Sequence, residues 1–232
     1  MMNIKEYFDL MGKHFHDSTE SELTFSNEFT FAIAVVLSAQ ATDKHVNTVT
    51  PRLFAVADTP KKMLKLGEDG LRKIIKSISF FNNKARNIIK MSVVLVEDGM
   101  KDGAFPKKYH GRDELVKLPA VGQKSANVIT NVLWGAPNIG IDTHLFRLAH
   151  RFGWAPATDN TPEKVEKSLM AVLPSKYHKM ANHIMVRHGR YICKALRPKC
   201  VECPVMDICI WKNKMEALVG IEPAYKDLQS SA

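Results

Sequence analysis

The chain has 232 residues, 45% of them hydrophobic, enough for one large domain or two compact ones. Lys and Arg number 33 against 24 Asp and Glu, and the net charge of +9 favours an anionic partner, nucleic acid being the commonest. Lys5, Glu6 and Asp9 break the apolar run that a secretory leader needs, and the most apolar stretch, Phe29 to Ala39, falls short of the about 20 residues that cross a bilayer; a soluble, intracellular protein is expected.

Helical periodicity runs through nearly the whole chain, and no stretch alternates with period two long enough to predict a strand. Ile4, Tyr7, Phe8, Met11 and Phe15 make the first apolar face. Phe29 to Ala39 reads as a core helix, and Gln40, Thr42 and Asp43 behind it read on their own as a polar helix end. A long helix follows with the stripe Ala85, Ile88, Ile89, Ser92, Leu95 and Val96.

Next come two helical patterns, "RDELVKL" and "QKSANVITNVLW", separated by Pro119 and Gly122 and therefore joined by a very short hairpin. In the second, Ala126, Ile129, Val132 and Leu133 share one face and Lys124, Asn127 and Asn131 the opposite one. "WGAPNIG", Trp134 to Gly140, interrupts the pattern and is the candidate domain boundary. Beyond it lie the stripe Leu145, Leu148, Ala149, Phe152 and a shorter one, Val165, Leu169, Val172, opened by Thr161 and Pro162 as cap and first turn. Many short helices on short loops predict an all-α protein in two lobes.

Three places carry chemistry. Lys124 sits in the first turn of a helix, where an ammonium is disfavoured by roughly 0.3–1 kcal/mol. The glycine-containing hairpin before it would offer backbone N–H groups to a phosphate; the alternative is an ordinary antiparallel helix pair with a solvated lysine. Asp142 precedes an apolar-periodic helix and is a good N-cap in its own right, a role compatible with a catalytic carboxylate fixed in place.

All four cysteines, Cys193, Cys200, Cys203 and Cys209, are spaced C-x6-C-x2-C-x5-C, which reads as metal ligation rather than disulfides. Structural zinc normally takes two C-x2-C-like pairs and finds one here, whereas four thiolates in one short segment also suit an iron–sulfur cluster. Lys194, Arg197 and Lys199 between the ligands would form a basic projection suited to phosphates, or simply a solvated loop.

Taken in order, "TFSNEFTFAIAVVLSAQATD", "LPAVGQKSANV", "IDTHLFR", "HGRYIC" and the cysteine spacing resemble the endonuclease III family of helix-hairpin-helix DNA glycosylases over nearly the whole chain. The resemblance implies a two-lobed all-α fold with DNA bound across the cleft. One lobe, 24–136, holds the hairpin. The other joins 1–23 to 137–213 around a [4Fe–4S] cluster held by the four cysteines, and 214–232 is a tail without an assigned role.

It implies excision of oxidised pyrimidines from duplex DNA and cleavage of the abasic strand, with Lys124 as nucleophile and Asp142 as the essential aspartate. Gln40 matches the residue that fills the gap left by the flipped base; Phe80 stands where the family carries a leucine wedge, the alternative being that Phe80 or Phe81 is core; and His144 either faces the damaged base or has a capping or packing role. Val121 and Gly122 are the hairpin's expected phosphate contacts. A monomer acting on damaged or abasic double-stranded DNA, on the nucleoid in a bacterial cytoplasm, is the expected setting.

One departure stands out: the family's L-P-G-V-G is here Leu118-Pro119-Ala120-Val121-Gly122, and a positive φ at Ala120 would cost on the order of 1 kcal/mol. Three other functions compete. An adenine glycosylase of the same superfamily would lack the hairpin lysine and carry a further C-terminal domain. A non-catalytic DNA-binding module would need no pairing of Lys124 with Asp142. An iron–sulfur electron carrier would leave the hairpin unexplained.

Overall fold

A computed structural model of the 232-residue chain describes residues 1–15 and 21–211; the tail expected at 214–232 lies outside the described residues. Those residues form helices and turns, and among them the only β pairing is an isolated bridge between Lys101 and Ala104. The helices are α1 (Ile4–His14), α2 (Glu28–Ser38), α3 (Asp43–Phe54), α4 (Pro60–Ile74), α5 (Phe81–Glu97), α6 (Arg112–Leu115), α7 (Gln123–Trp134), α8 (Thr143–Arg151), α9 (Pro162–Val172) and α10 (Ser175–Arg187). A π-helical turn, His188–Ile192, continues α10. Among the described residues no helix is long and apolar enough to cross a membrane.

The chain divides into two compact units, one being Ser21–Ala136 and the other the described parts of Met1–Glu20 and Pro137–Ala232. In the first, α2 is the hub, buried from Phe29 through Leu37. Its start is fixed by a reciprocal capping box: Asn27 Oδ1 accepts from the Thr30 N–H at 2.8 Å and Thr30 Oγ1 accepts from the Asn27 N–H at 2.9 Å. Ile88, Met91 and Leu95 of α5 and Ala126 and Ile129 of α7 join the same core.

The second unit closes the beginning of the chain onto its later part. Tyr7, Phe8 and Met11 of α1 pack with Leu145, Leu148, Phe152, Trp154 and Ile184. Phe8 stacks on Tyr177 at 4.5 Å between centroids, Tyr7 meets Trp154 edge-on at 5.0 Å, and Trp154 Nε1 donates to the Met2 carbonyl at 2.9 Å.

Two local expectations are corrected. The helix before the hairpin is one turn long instead of spanning 112–118. Lys117 and Leu118 donate to the carbonyls three residues back, Glu114 and Leu115, so the chain tightens before Pro119, which disfavours helical backbone at its predecessor. The polar face assigned to α7 is exposed only at Lys124: Asn127 and Asn131 are 1% and 2% exposed. Asn131 Nδ2 donates to the Ala136 carbonyl at 3.1 Å, a satisfied polar contact that hydrophobic periodicity cannot register.

Candidate functional site

The hairpin is built by one strained residue. Ala120 has φ +68°, and the Val121 N–H closes the turn onto the Leu118 carbonyl at 3.1 Å. Val121 is 5% exposed, its side chain packed in the core, where it anchors the hairpin. Gly122 is exposed, and a Cβ there would meet nothing within 4 Å, which leaves its backbone open to a ligand. Gly122 caps α7 without a side-chain hydrogen bond, the first turn holds no acidic residue, and Lys124 stands exposed in that turn. The positive end of the α7 dipole is thus uncompensated where the ammonium sits.

Gln40 and Phe80 belong to the same unit, and both are exposed, Phe80 at 62%. Phe81 is the partly buried one that packs on the core, which separates the wedge candidate from its neighbour. Gln40 has φ +56° and Phe80 φ +57°. Among the described residues only five non-glycine positions adopt positive φ, and four of them are Gln40, Phe80, Ala120 and the loop residue Arg197. Such strain persists only where surrounding contacts enforce it, and it concentrates at functional sites.

In the other unit, Asp142 caps α8 through one oxygen: Oδ1 accepts from the N–H groups of His144 at 2.8 Å and Leu145 at 2.9 Å. Oδ2 takes no part in the cap. The approach to Asp142 is clamped by Asn182, whose Oδ1 accepts from the Gly140 N–H at 2.9 Å. His144 lies in the first turn of α8, beside Arg147 Nη2 at 3.3 Å. Burial lowers its pKa below 6.5, with Arg147 and Arg190 adding to the effect and Asp142 opposing it. Gly189 sits against this turn, where a Cβ would lie 2.7 Å from His144 Cβ and 3.2 Å from its Cα. Arg147 Nη2 donates to the Gly189 carbonyl at 2.8 Å and to the Cys193 carbonyl at 3.1 Å. One side chain therefore ties the start of α8 to the first cysteine.

None of the four cysteines is in a disulfide, and all four line one pocket together with Phe152, Val205, Met206 and Trp211. Tetrahedral zinc would draw its sulfurs to roughly 3.8 Å from one another, given Zn–S bonds near 2.3 Å. Among the described residues, no three Cys, His, Asp or Glu side chains gather closely enough to hold a single metal ion. Four thiols around one mostly apolar pocket fit an iron–sulfur cluster.

The sulfurs have outer partners of the kind that tune such a centre. Arg151 Nη1 donates to Cys193 Sγ at 3.0 Å while its guanidinium stacks 3.8 Å over the Trp211 ring. His188 Nε2 lies 3.4 Å from Cys203 Sγ, and its Nδ1 lies 3.1 Å from the Tyr7 hydroxyl. Burial pushes His188 down to about 3 and the Cys203 thiol up to about 12, the other three cysteines adding to the latter. The Ile192 carbonyl accepts from both Lys194 and Lys199 N–H groups at 2.9 Å, closing the loop that exposes Lys194, Arg197 and Lys199. Lys199 is engaged there by Glu202 at 2.9 Å.

The structure brings Asp142 and His144 together, gathers the four cysteines, and sets Lys124 behind the hairpin; Lys124 and Asp142 belong to different units. Sequence reasoning missed Asn182, Arg147, Arg151, His188 and Lys84. Lys84 alone had a readable signal, because it stands four residues before Ile88 in register with the apolar stripe of α5.

Comparison with known proteins places this geometry in a family. Residues 33–175 match the HhH-GPD superfamily base excision DNA repair proteins, and residues 193–209 match the iron–sulfur binding domain of endonuclease III. The endonuclease III of Rickettsia felis is 45% identical over 210 residues, 90% of this chain and 95% of that protein. The endonuclease III of Escherichia coli K12 is 43% identical over 196 residues, 84% of this chain and 90% of that one. A trapped endonuclease III–DNA covalent intermediate superposes with a TM-score of 0.82 at 39% identity, covering 94% of this chain and all of the other. With its superfamily match running over more than half its length and relatives this similar over most of it, the chain belongs to the endonuclease III family of helix-hairpin-helix base excision DNA repair proteins.

Proposed function

We propose that Lys124 and Asp142 carry the two chemical steps of this base excision repair enzyme, a DNA glycosylase and abasic-site lyase, acting on duplex DNA that contains oxidised pyrimidines or abasic sites. The observation that carries the assignment is the uncapped, acid-free first turn of α7, which holds an exposed lysine directly behind the open Gly122 backbone. Phosphate oxygens are the natural ligands of such a turn, and they would bring the sugar of an extruded nucleotide to the amine.

A lysine attacks carbon only as the free amine, while the ordinary lysine pKa is about 10.4. Asp142 Oδ2, outside the α8 cap, takes the proton. The Lys124 nitrogen then bonds to C1′ as the glycosidic C1′–N bond breaks with its electron pair on the base, which takes one proton from that nitrogen; the C1′–O4′ bond then breaks with its pair on O4′, which takes the proton held by Asp142, and the protonated imine remains. Loss of a C2′ proton expels the 3′ phosphate as the C3′–O bond breaks, which is β-elimination. Asp142, ionised again once that proton is passed on, stabilises the positive charge on the sugar-derived imine.

Gln40 fills the gap left in the stack and Phe80 wedges the duplex open, both from positions exposed for contact. His144 reads the extruded base, and Lys194 and Arg197 contact phosphates. The four cysteines hold a [4Fe–4S] cluster, whose chemistry when bound is to cross-link the basic loop and place charge beside it.

The test is borohydride trapping on a duplex with one abasic site. A covalent adduct is expected with the wild type, reduced with Asp142→Asn and absent with Lys124→Ala. An adduct of normal yield with folded Lys124→Ala refutes the assignment.

A further inference from the structure

Lys84 is a buried charged group that the proposed mechanism leaves unexplained. It is 8% exposed, and no carboxylate pairs with it among the described residues. Its Nζ instead donates to two backbone carbonyls, Leu37 at 2.8 Å and Ala39 at 2.6 Å. These carbonyls end α2, whose last turn holds no basic residue of its own. A buried ammonium satisfied only by a helix end is costly where a methionine would fill the same space, so its retention calls for a reason other than packing.

We propose that Lys84 is a positioning residue for base extrusion, tying the Gln40 turn and the Phe80 turn into one rigid unit. The inference rests on the reading that Gln40 and Phe80 enter the duplex. Through its side chain, Lys84 grips the carbonyl of Ala39, the residue immediately before Gln40. Through its own N–H, which donates to the Phe80 carbonyl at 3.0 Å, it belongs to the first turn that Phe80 opens. One residue thus holds both left-handed positions, φ +56° and φ +57°, from their inner side.

A second brace runs alongside. His45, in the first turn of α3, directs Nε2 to the Ser77 carbonyl and hydroxyl, each at 3.2 Å. It joins the helix after Gln40 to the segment before Phe80. Filling a gap and wedging a strand are useful only if the two side chains arrive in fixed register, since opening the stack carries an unpairing and unstacking cost that a slack pair of turns would not recover. The lysine supplies that register without adding a surface charge that would compete for phosphates.

The experiment is single-turnover excision of one oxidised thymine, either paired in a matched duplex or centred in an unpaired bubble that needs no extrusion from a stack. Lys84→Met, Lys84→Arg, Gln40→Ala, Phe80→Ala and the Lys84→Met/Gln40→Ala double variant are compared, each with its thermal midpoint. Lys84→Met is expected to slow the matched duplex at least tenfold and the bubble less than twofold. Lys84→Arg should restore part of the loss. The double variant should be no slower than the worse single variant, because Lys84 acts through Gln40 and Phe80 and not independently of them. Unchanged matched-duplex excision by Lys84→Met overturns the proposal, as does an equal loss on both substrates, which would mark general destabilisation. If Gln40→Ala and Phe80→Ala are also silent on the matched duplex, the failure belongs to the plug-and-wedge reading; if they slow it and Lys84→Met does not, the failure belongs to Lys84 alone.

Discussion

Replacing Ala120 with glycine should stabilise the protein. Ala120 holds φ +68° in the hairpin, a conformation that costs an L-residue with a Cβ roughly 1–2 kcal/mol. Glycine removes that strain. Against it stands the greater freedom of glycine in the unfolded chain, about 0.4–1 kcal/mol. The lost methyl, half-buried against the first core, subtracts a fraction of the roughly 0.8 kcal/mol that a fully buried CH2 contributes.

The balance is a gain of about 0.5 kcal/mol. For a chain of this size that is on the order of 1–2 °C in thermal midpoint, using 2–4 °C per kcal/mol. Scans of the cluster-loaded protein at one fixed rate, followed by circular dichroism, would resolve it. Ala120→Val is the control: its branched Cβ makes the left-handed region harder to hold, so its midpoint should fall by several degrees. Abasic-duplex affinity of Ala120→Gly should stay within about twofold, because the hairpin keeps its shape. A midpoint that falls for Ala120→Gly, or stays level while Ala120→Val is tolerated, would show that the turn is unstrained and refute the reasoning.

Two further outcomes follow from the second unit. Gly189→Ala would set a Cβ 2.7 Å from His144 Cβ and 3.2 Å from both its Cα and Arg147 Nη2, contacts that involve the α8 backbone as well as flexible atoms. It should lower stability by roughly 1–3 kcal/mol and slow imine trapping through the Asp142 end of α8; an unchanged midpoint and trapping rate would contradict the packing described. Metal and acid-labile sulfide analysis should return about four iron and four sulfide per chain. One zinc without sulfide would contradict the cluster assignment.

What the sequence revealed, and what it hid, divides along the range of the interactions. The N-caps were legible because they act across two or three residues: Asp142 caps α8, and Thr161 accepts from the Lys164 N–H at 3.4 Å with Pro162 in the first turn. The cysteine spacing was legible because the ligands share one short segment. The positive φ at Gln40 and Phe80 was not, since neither residue type favours that region and tertiary contacts impose it.

Lys84 went unread although it stood in the apolar register, because the carbonyls it serves lie 47 and 45 residues earlier in the chain. Asn127 and Asn131 misled because hydrophobic pattern alone cannot distinguish a solvated polar side chain from a buried one. The one-turn α6 was overestimated because helical propensity says little about where proline steers the preceding chain.

The pairing of Tyr7 with His188 has a consequence for how the molecule is made. These partners are 181 residues apart, and at about 5–20 residues per second a ribosome needs on the order of 10–35 s to deliver the second after the first. Until Trp154 is made, the aromatic face of α1 has none of its later companions, Trp154, Tyr177 or His188, and every residue of the intervening unit is synthesised in that time. The nascent chain therefore completes its middle before its beginning, and α1 is the segment that a chaperone would meet longest on the way out.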